Sequence, residues 1–238
     1  VAKRARKAVE QAGMAKDITI VEGFAAAVAD LPKVDLVVHE IIGNLATEEG
    51  VAAALEDLQR RPVVVDSATR GWSLPSRIET RVAPINLHIP LPLGAKAAKV
   101  SAARQPNASR LSFVPPPAVL LGEPRIAEVV DASEPIQLQQ EHHLEWRIGV
   151  SSTLTGFACA PFVLLDENAV LDAWSMQTHW RHVLVHLQRP ELVELGDIVH
   201  LRVCADLRHF PVSHYFEVSI ARQGNGDPDT VCKMFVCL

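Results

Sequence analysis

The sequence predicts an α/β segment followed by an all-β domain, on three observations. Helix-like and strand-like runs alternate up to about residue 66, which is typical of a parallel sheet with crossover helices. From Ile78 onward, short apolar runs separated by turn residues replace that alternation and indicate a β-barrel or sandwich. Hydrophobic residues make up 48% of the 238 residues and charged residues 21%, so the chain can bury a core and is not intrinsically disordered.

The first part contains helical and extended runs in turn. Apolar residues at helical spacing predict helices over 3–13 and 47–59, with a shorter Ala-rich helical turn over 24–31. Runs rich in β-branched residues predict three buried strands, over residues 18–21, 34–38 and 62–65. We therefore assign residues 1–86 to a first domain.

The second part, residues 87–238, has the pattern of an all-β domain. Residues 88–124 are rich in Pro, Ala and Ser, and we interpret them as a linker or a protruding arm. Short apolar runs predict seven strands, over residues 80–85, 144–150, 157–165, 180–187, 198–203, 215–221 and 231–238. The first of these seven strands is the transition into the barrel.

Charge and cysteine content narrow the classes of function. The 23 basic and 28 acidic residues give a formal charge of −5, which argues against direct nucleic-acid binding and favours a cationic peptide partner. No apolar run approaches the ~20 residues of a membrane helix, so no membrane association is predicted. The four cysteines lie far apart in apolar runs, which predicts reduced thiols in an intracellular protein, cytoplasmic or nuclear, and no metal site.

Acidic residues follow the predicted strand 34–38. In an open α/β sheet, ligands bind beyond the carboxyl ends of the strands, and Glu40 lies on that edge. A glycine-containing loop then leads to Glu48 and Glu49 at the start of the next helix. Two carboxylates that bracket a tight loop can converge on one cation, and a planar guanidinium fits them best. The alternative is a solvated Glu40 with Glu48 and Glu49 stabilising a helix N-terminus.

A second motif, Thr178-His179-Trp180, opens a predicted strand of the β domain. Alone, a His–Trp pair at a strand start is typical of packing. Together with Glu40 and Glu49, nine positions apart around Gly43, it resembles the protein arginine methyltransferase family. In that family two acids form a "double-E" loop after a sheet strand, and a Thr-His-Trp loop from the following barrel closes the substrate pocket.

The resemblance implies the C-terminal half of a class I methyltransferase Rossmann-like domain followed by a β-barrel. It implies that the chain transfers a methyl group from S-adenosyl-L-methionine to an arginine of a protein or peptide. Glu40 and Glu49 would be the catalytic residues, His179 and Trp180 would bind substrate, and Glu22 and Gly23 would neighbour the cofactor. Members of the family commonly dimerise through an arm, so a homodimer is expected, with residues 88–124 in that role.

Several features of the family are missing. The glycine-rich cofactor loop, the acid that holds the ribose and the N-terminal helix have no counterpart, and the chain begins without a methionine. Ala26 replaces a common adenine-contacting acid, and His39 replaces the usual Ser before the first Glu. Two explanations fit: the substrate-binding part of a longer enzyme, or a non-catalytic homologue whose barrel serves assembly or peptide binding. A third keeps the methyltransferase class with a small-molecule acceptor.

Overall fold

The computed structural model describes residues 1–28, 31–61, 63, 71–87 and 108–223, together with the backbone of 229–237. The chain forms two compact units, Val1–Lys33 and Val34–Leu238, which are described separately. The predicted division after residue 86 stays a prediction. Within the described residues, no helix is long and apolar enough to cross a membrane.

The described part of unit 1 contains α1 (Ala2–Gln11) and one 3₁₀ turn, Ala25–Ala27, close to the helical segments that the sequence predicts. The predicted strand over 18–21 is wrong. Ile18 and Val21 lie in irregular backbone and are exposed. A strand needs a partner for its backbone hydrogen bonds, and the described part of this unit contains no other strand.

Unit 2 begins with β1 (Val37–Val38), α2 (Val51–Arg60) and β2 (Ser73–Leu74). β1 and β2 pair in parallel, with Val37 opposite Ser73, as the alternating pattern predicts. Only the last two residues of the predicted strand 34–38 are extended in a ladder. Of the predicted strand 62–65 only Val63 is described, as a turn residue, and the rest lies outside the described residues.

In the described residues ten further strands follow: β3 (Arg77–Ile85), β4 (Ala108–Leu111), β5 (Arg125–Asp131), β6 (Gln139–Arg147), β7 (Ser152–Asp166), β8 (Ala169–Asp172), β9 (His182–Val193), β10 (Ile198–Asp206), β11 (Ser213–Ala221) and β12 (Asp229–Cys237). They form two antiparallel sheets. One has the order β4-β9-β7-β3-β5, with β8 also paired to β7, and the other has the order β12-β11-β10-β6. β3 therefore pairs with strands of the predicted second domain.

All seven strands predicted from Ile78 onward are confirmed, within a few residues at their ends for all but three: β6 and β7 each begin five residues before their predictions, and β9 runs six residues beyond its own. β4, β5 and β8 were not predicted. The segment 88–124, predicted as a linker or arm, is described from residue 108 onward, where it contains β4 and a 3₁₀ turn at Pro117–Val119. The predicted arm over 88–107 lies outside the described residues. Cys159 is a buried free thiol and Cys204 a half-buried one.

Two hydrophobic cores position the candidate site. The main core lies between the sheets and is built from inward-facing residues such as Phe157, Val185 and Phe216. The second core joins α2 to the loop before it and to the barrel, and contains Ile42 and Trp180. The segment carrying the candidate acids therefore packs directly on the β domain.

Candidate functional site

The loop from residue 39 to residue 50 joins β1 to α2 and carries the candidate acids on a buried base. Leu45, Ala46 and Thr47 are buried, whereas Glu40 and Glu49 are exposed. The loop ends at Gly50, whose φ of 84° lies in the left-handed region that favours glycine and directs the chain into the helix. A rigid base thus presents two acids to solvent.

The Thr-His-Trp segment is bonded to this loop at two points. The indole Nε1–H of Trp180 donates to the carbonyl oxygen of Ile42 at 2.9 Å. The backbone N–H of Arg181 donates to Oδ1 of Asn44 at 2.6 Å. Trp180 is only 8% exposed, so the indole supports the loop from below. Two segments 138 positions apart are therefore held in contact.

His179 and Glu40 face each other across this junction. Nε2 of His179 lies 3.5 Å from Oε1 of Glu40, and their side chains are 71% and 68% exposed. The imidazole of His179 also packs on the indole of Trp180, with ring centroids 4.5 Å apart. The result is an exposed corner formed by one carboxylate and one imidazole, with the indole of Trp180 packed against the imidazole.

His39, directly before Glu40, is held by the small parallel sheet. Its Nε2 lies 3.2 Å from Oγ of Ser73 in β2. Burial lowers the pKa of His39 below its ordinary value, although the charge of Glu40 opposes this. The imidazole of His39 is therefore neutral at pH 7. His39 does not supply a positive charge next to the carboxylate of Glu40.

A buried carboxylate fixes the far end of the loop. Glu128 of β5 is 1% exposed and accepts from the hydroxyl of Thr47 at 2.8 Å and from its backbone N–H at 3.3 Å. Nε2 of His214 on β11 lies 2.7 Å from the same carboxylate. Thr80 of β3 completes the cluster by donating its hydroxyl to Glu128 and accepting the N–H of Ala46 at 2.8 Å. Three barrel strands therefore hold two loop residues.

The ionisation of Glu128 follows from these contacts. Burial alone would raise the pKa of Glu128, because a charged carboxylate is poorly solvated in the interior. The charge of His214 and hydrogen bonds from His214, Thr80 and Thr47 outweigh burial and lower the pKa. Glu128 is therefore a charged and fully partnered group at neutral pH.

Glu48 and Glu49 are adjacent in sequence but differ in environment. Oε2 of Glu48 accepts the N–H groups of Asn44 at 2.9 Å and Leu45 at 3.3 Å, and Oε1 lies 2.5 Å from a guanidinium nitrogen of Arg110. The Glu48 side chain is only 13% exposed. Glu49 is exposed and forms no hydrogen bond or ion pair with another described residue. Glu48 therefore closes the loop, whereas the carboxylate of Glu49 is available to a ligand.

Gly43 makes this closure possible. A Cβ at residue 43 would lie 2.5 Å from Cβ of Glu48 and 2.9 Å from its Oε2. Because real Cβ contacts stay above 3.0 Å, no side chain fits there unless Glu48 moves. The glycine between the two predicted acids is explained by this close approach.

The structure brings together three of the predicted site residues, Glu40, His179 and Trp180. Glu49 lies at the other end of the same loop, and its part in catalysis stays a prediction. Glu22 and Gly23 lie in unit 1, where the exposed Glu22 forms one contact to Arg6 at 3.3 Å. Their contact with a cofactor stays a prediction.

Sequence reasoning missed three residues that hold the loop: Arg110, Glu128 and His214. Glu128 follows Ile126 and Ala127 and precedes two valines, so a lone acid in an apolar run was the available signal. Arg110 falls in the segment 88–124, which the sequence predicts to be a linker or arm. His214 lies two positions before Phe216 and four before Val218, a spacing that places it on the buried face of β11.

Comparison with known proteins identifies the architecture. No family profile matches the chain, and neither does any curated protein sequence. A solved structure of Arabidopsis thaliana protein arginine methyltransferase 10, in an open conformation, matches with a TM-score of 0.72 over 98% of this chain and 79% of that chain, at 16% identity. The chain has the fold of the protein arginine methyltransferases. The expected fold class is therefore confirmed.

A second match supports the same fold. It is the Trypanosoma brucei PRMT1 enzyme–prozyme heterotetrameric complex with AdoHcy, with a TM-score of 0.68 and 12% identity. The match covers 99% of this chain and 81% of that chain. The likeness thus extends over the α/β segment and the barrel alike.

Proposed function

We propose that this chain carries the acceptor site of an S-adenosyl-L-methionine-dependent methyltransferase that acts on arginine guanidinium groups of proteins or peptides. The observation that supports it is the corner formed by Glu40 and His179 at 3.5 Å, on a loop that Trp180 holds from below. The protein arginine methyltransferase fold supports the same reaction class. The net charge of −5 favours a cationic peptide.

Glu40 and Glu49 bind the guanidinium in this proposal. A planar guanidinium matches carboxylates with paired N–H donors, so the two acids orient one nitrogen toward the methyl donor. They also stabilise the cation that persists after transfer. His179 supports the Glu40 carboxylate from the barrel side, and the mostly exposed corner leaves room for a peptide to enter.

Glu22 and Gly23 are the residues of this chain proposed to contact the cofactor. The Glu22 carboxylate is 69% exposed and has one described contact, so it can accept a hydroxyl hydrogen bond. When bound, S-adenosyl-L-methionine supplies a methyl carbon on a sulfonium, which becomes a thioether as the arginine nitrogen gains the methyl and loses a proton. Positioning by Glu40 and Glu49 supplies the catalysis that this chain contributes.

The test is transfer of a labelled methyl group to an arginine-containing peptide by the full-length protein. We expect Glu40→Gln and Glu49→Gln to reduce transfer by at least about 100-fold, because each removes one charged partner of the guanidinium. Glu145→Gln is the matched control, since Glu145 is 65% exposed and faces His200 at 3.1 Å. Equal loss in all three variants would contradict the assignment.

The non-catalytic alternative makes the opposite prediction. A barrel that serves assembly or peptide binding would bind the peptide without transferring methyl groups, and calorimetry with S-adenosyl-L-methionine would give no heat. A small-molecule acceptor would leave peptide methylation absent while cofactor binding remains. Sedimentation of the same protein tests the proposed homodimer.

A further inference from the structure

Arg110 on β4 forms an ion pair with Glu48, the acid that directly precedes Glu49. Its guanidinium nitrogen is 2.5 Å from Oε1 of Glu48, and the Arg110 side chain is 38% exposed against 13% for Glu48. Because Oε2 of Glu48 also accepts two backbone N–H groups, both oxygens of its carboxylate have partners within the protein. A charge-assisted contact to a largely buried acid is stronger than a typical surface ion pair.

The placement of β4 explains how Arg110 reaches this loop. β4 pairs with β9, and Arg110 lies opposite Val183 in the register. Val183 is three positions after Trp180, whose indole bonds the same loop at Ile42. β4 and the residues just before β9 therefore hold the loop at two points, Glu48 and Ile42.

We propose that Arg110 is a positioning residue that keeps the Glu48 carboxylate out of the acceptor site, so that Glu49 is the one of these two adjacent acids that binds the guanidinium. The inference rests on the proposed function and deepens it. Without Arg110, Glu48 carries an unpaired charge in a largely buried place. The carboxylate then turns outward, competes for the incoming guanidinium and moves Glu49 with the loop.

The experiment compares Arg110→Met, Glu48→Gln and the double variant in the full-length protein. We expect Arg110→Met to lower kcat for an arginine peptide by about tenfold without raising KM, because a misplaced acid still attracts the cation. Adding Glu48→Gln removes the unpaired charge, so kcat returns to within about twofold of Glu48→Gln alone. Arg110→Lys retains most activity, since Arg110 uses a single nitrogen in the contact.

Arg189→Met is the matched control, because Arg189 is exposed on β9 and has no ion pair with another described residue. Additive losses in the double variant, or wild-type kcat in Arg110→Met, would overturn the proposal. So would a raised KM at unchanged kcat.

The proposed function can fail separately. If the wild type transfers no methyl group, four proteins are compared by thermal unfolding and by calorimetry with the peptide. They are the wild type, Arg110→Met, Glu48→Gln and the double variant. A midpoint lowered by about 2–4 °C in Arg110→Met and recovered in the double variant, with peptide binding as tight as in the wild type, supports the role of Arg110 in positioning Glu48. Equal midpoints in all four proteins overturn it.

Discussion

The indole Nε1–H of Trp180 donates to the carbonyl oxygen of Ile42 at 2.9 Å, which joins the barrel to the loop that carries the candidate acids. This bond is buried, whereas the contact of Glu40 with His179, whose imidazole packs on the same indole, is exposed. The geometry of the candidate site therefore depends on a buried contact as well as on the exposed residues.

Replacing Trp180 tests that dependence. Trp180→Phe keeps the aromatic ring but leaves the buried Ile42 carbonyl without its donor, so we expect a loss of about 1–3 kcal/mol in the free energy of unfolding. Trp174→Phe is the control, because the Trp174 Nε1 has no hydrogen-bond partner among the described residues and its loss removes no bond. Chemical denaturation of both variants measures the difference, and equal losses would contradict the role of the bond.

Gly43→Ala tests the closure of the acid loop. The new Cβ would overlap Glu48, so we expect a destabilisation of about 1–3 kcal/mol and a matching loss of methyl transfer. Gly149→Ala is the control, because nothing lies within 4 Å of a Cβ there. Denaturation curves give the free energy of unfolding of both variants. An unchanged value in Gly43→Ala would contradict the prediction, because it would show that Glu48 can move without loss of stability.

The pH dependence of stability tests the buried cluster around Glu128. Its pKa is lowered in the folded state from an ordinary value of 4.5, so ionised Glu128 contributes stability above about pH 4.5. That contribution is lost as the pH falls through the lowered pKa. We expect the free energy of unfolding of the wild type to exceed that of Glu128→Gln by about 3 kcal/mol at neutral pH. This difference narrows as the pH falls.

Unfolding free energies of both proteins between pH 7 and pH 3 measure the gap. Thr80→Val provides a second measure, because removing one hydrogen bond to the carboxylate moves the acid transition of the protein to higher pH. A gap that stays constant with pH would mean that the charge of Glu128 does not stabilise the fold.

His179→Asn separates function from folding. His179 is 71% exposed, and an exposed pair of this kind contributes less than about 1 kcal/mol, so the melting temperature should stay the same. We expect peptide methylation to fall by about tenfold because Glu40 loses its support. His143→Asn is the control, since His143 is also 71% exposed and contacts Glu141 at 2.9 Å. Equal activity in the two variants would remove His179 from the site.

The barrel strands could be predicted from sequence because they depend on local patterns. The alternation of buried and exposed residues in β10 and β11 is regular, and such strands are read directly from period-two hydrophobicity. The nine-position spacing of Glu40 and Glu49 and the Thr-His-Trp triplet needed a family pattern rather than a physical rule.

Other features depend on contacts that the sequence does not display. The β-branched run 18–21 predicted a strand, but strand formation requires a partner strand, and none lies in the described part of unit 1. The two adjacent acids differ because Arg110, 62 positions later, pairs with only one of them. Glu128 and His214 likewise meet only after β5 and β11 are in place.

The acid loop cannot be treated as a portable module. Thr47 bonds to Glu128, 81 positions away on β5, and Glu128 in turn needs His214 from β11. A chimaera that grafts residues 39–50 onto another scaffold without β5 and β11 would keep the sequence of the loop. It would lose the conformation that these two strands stabilise. Engineering of this chain would have to exchange the loop and its barrel supports together.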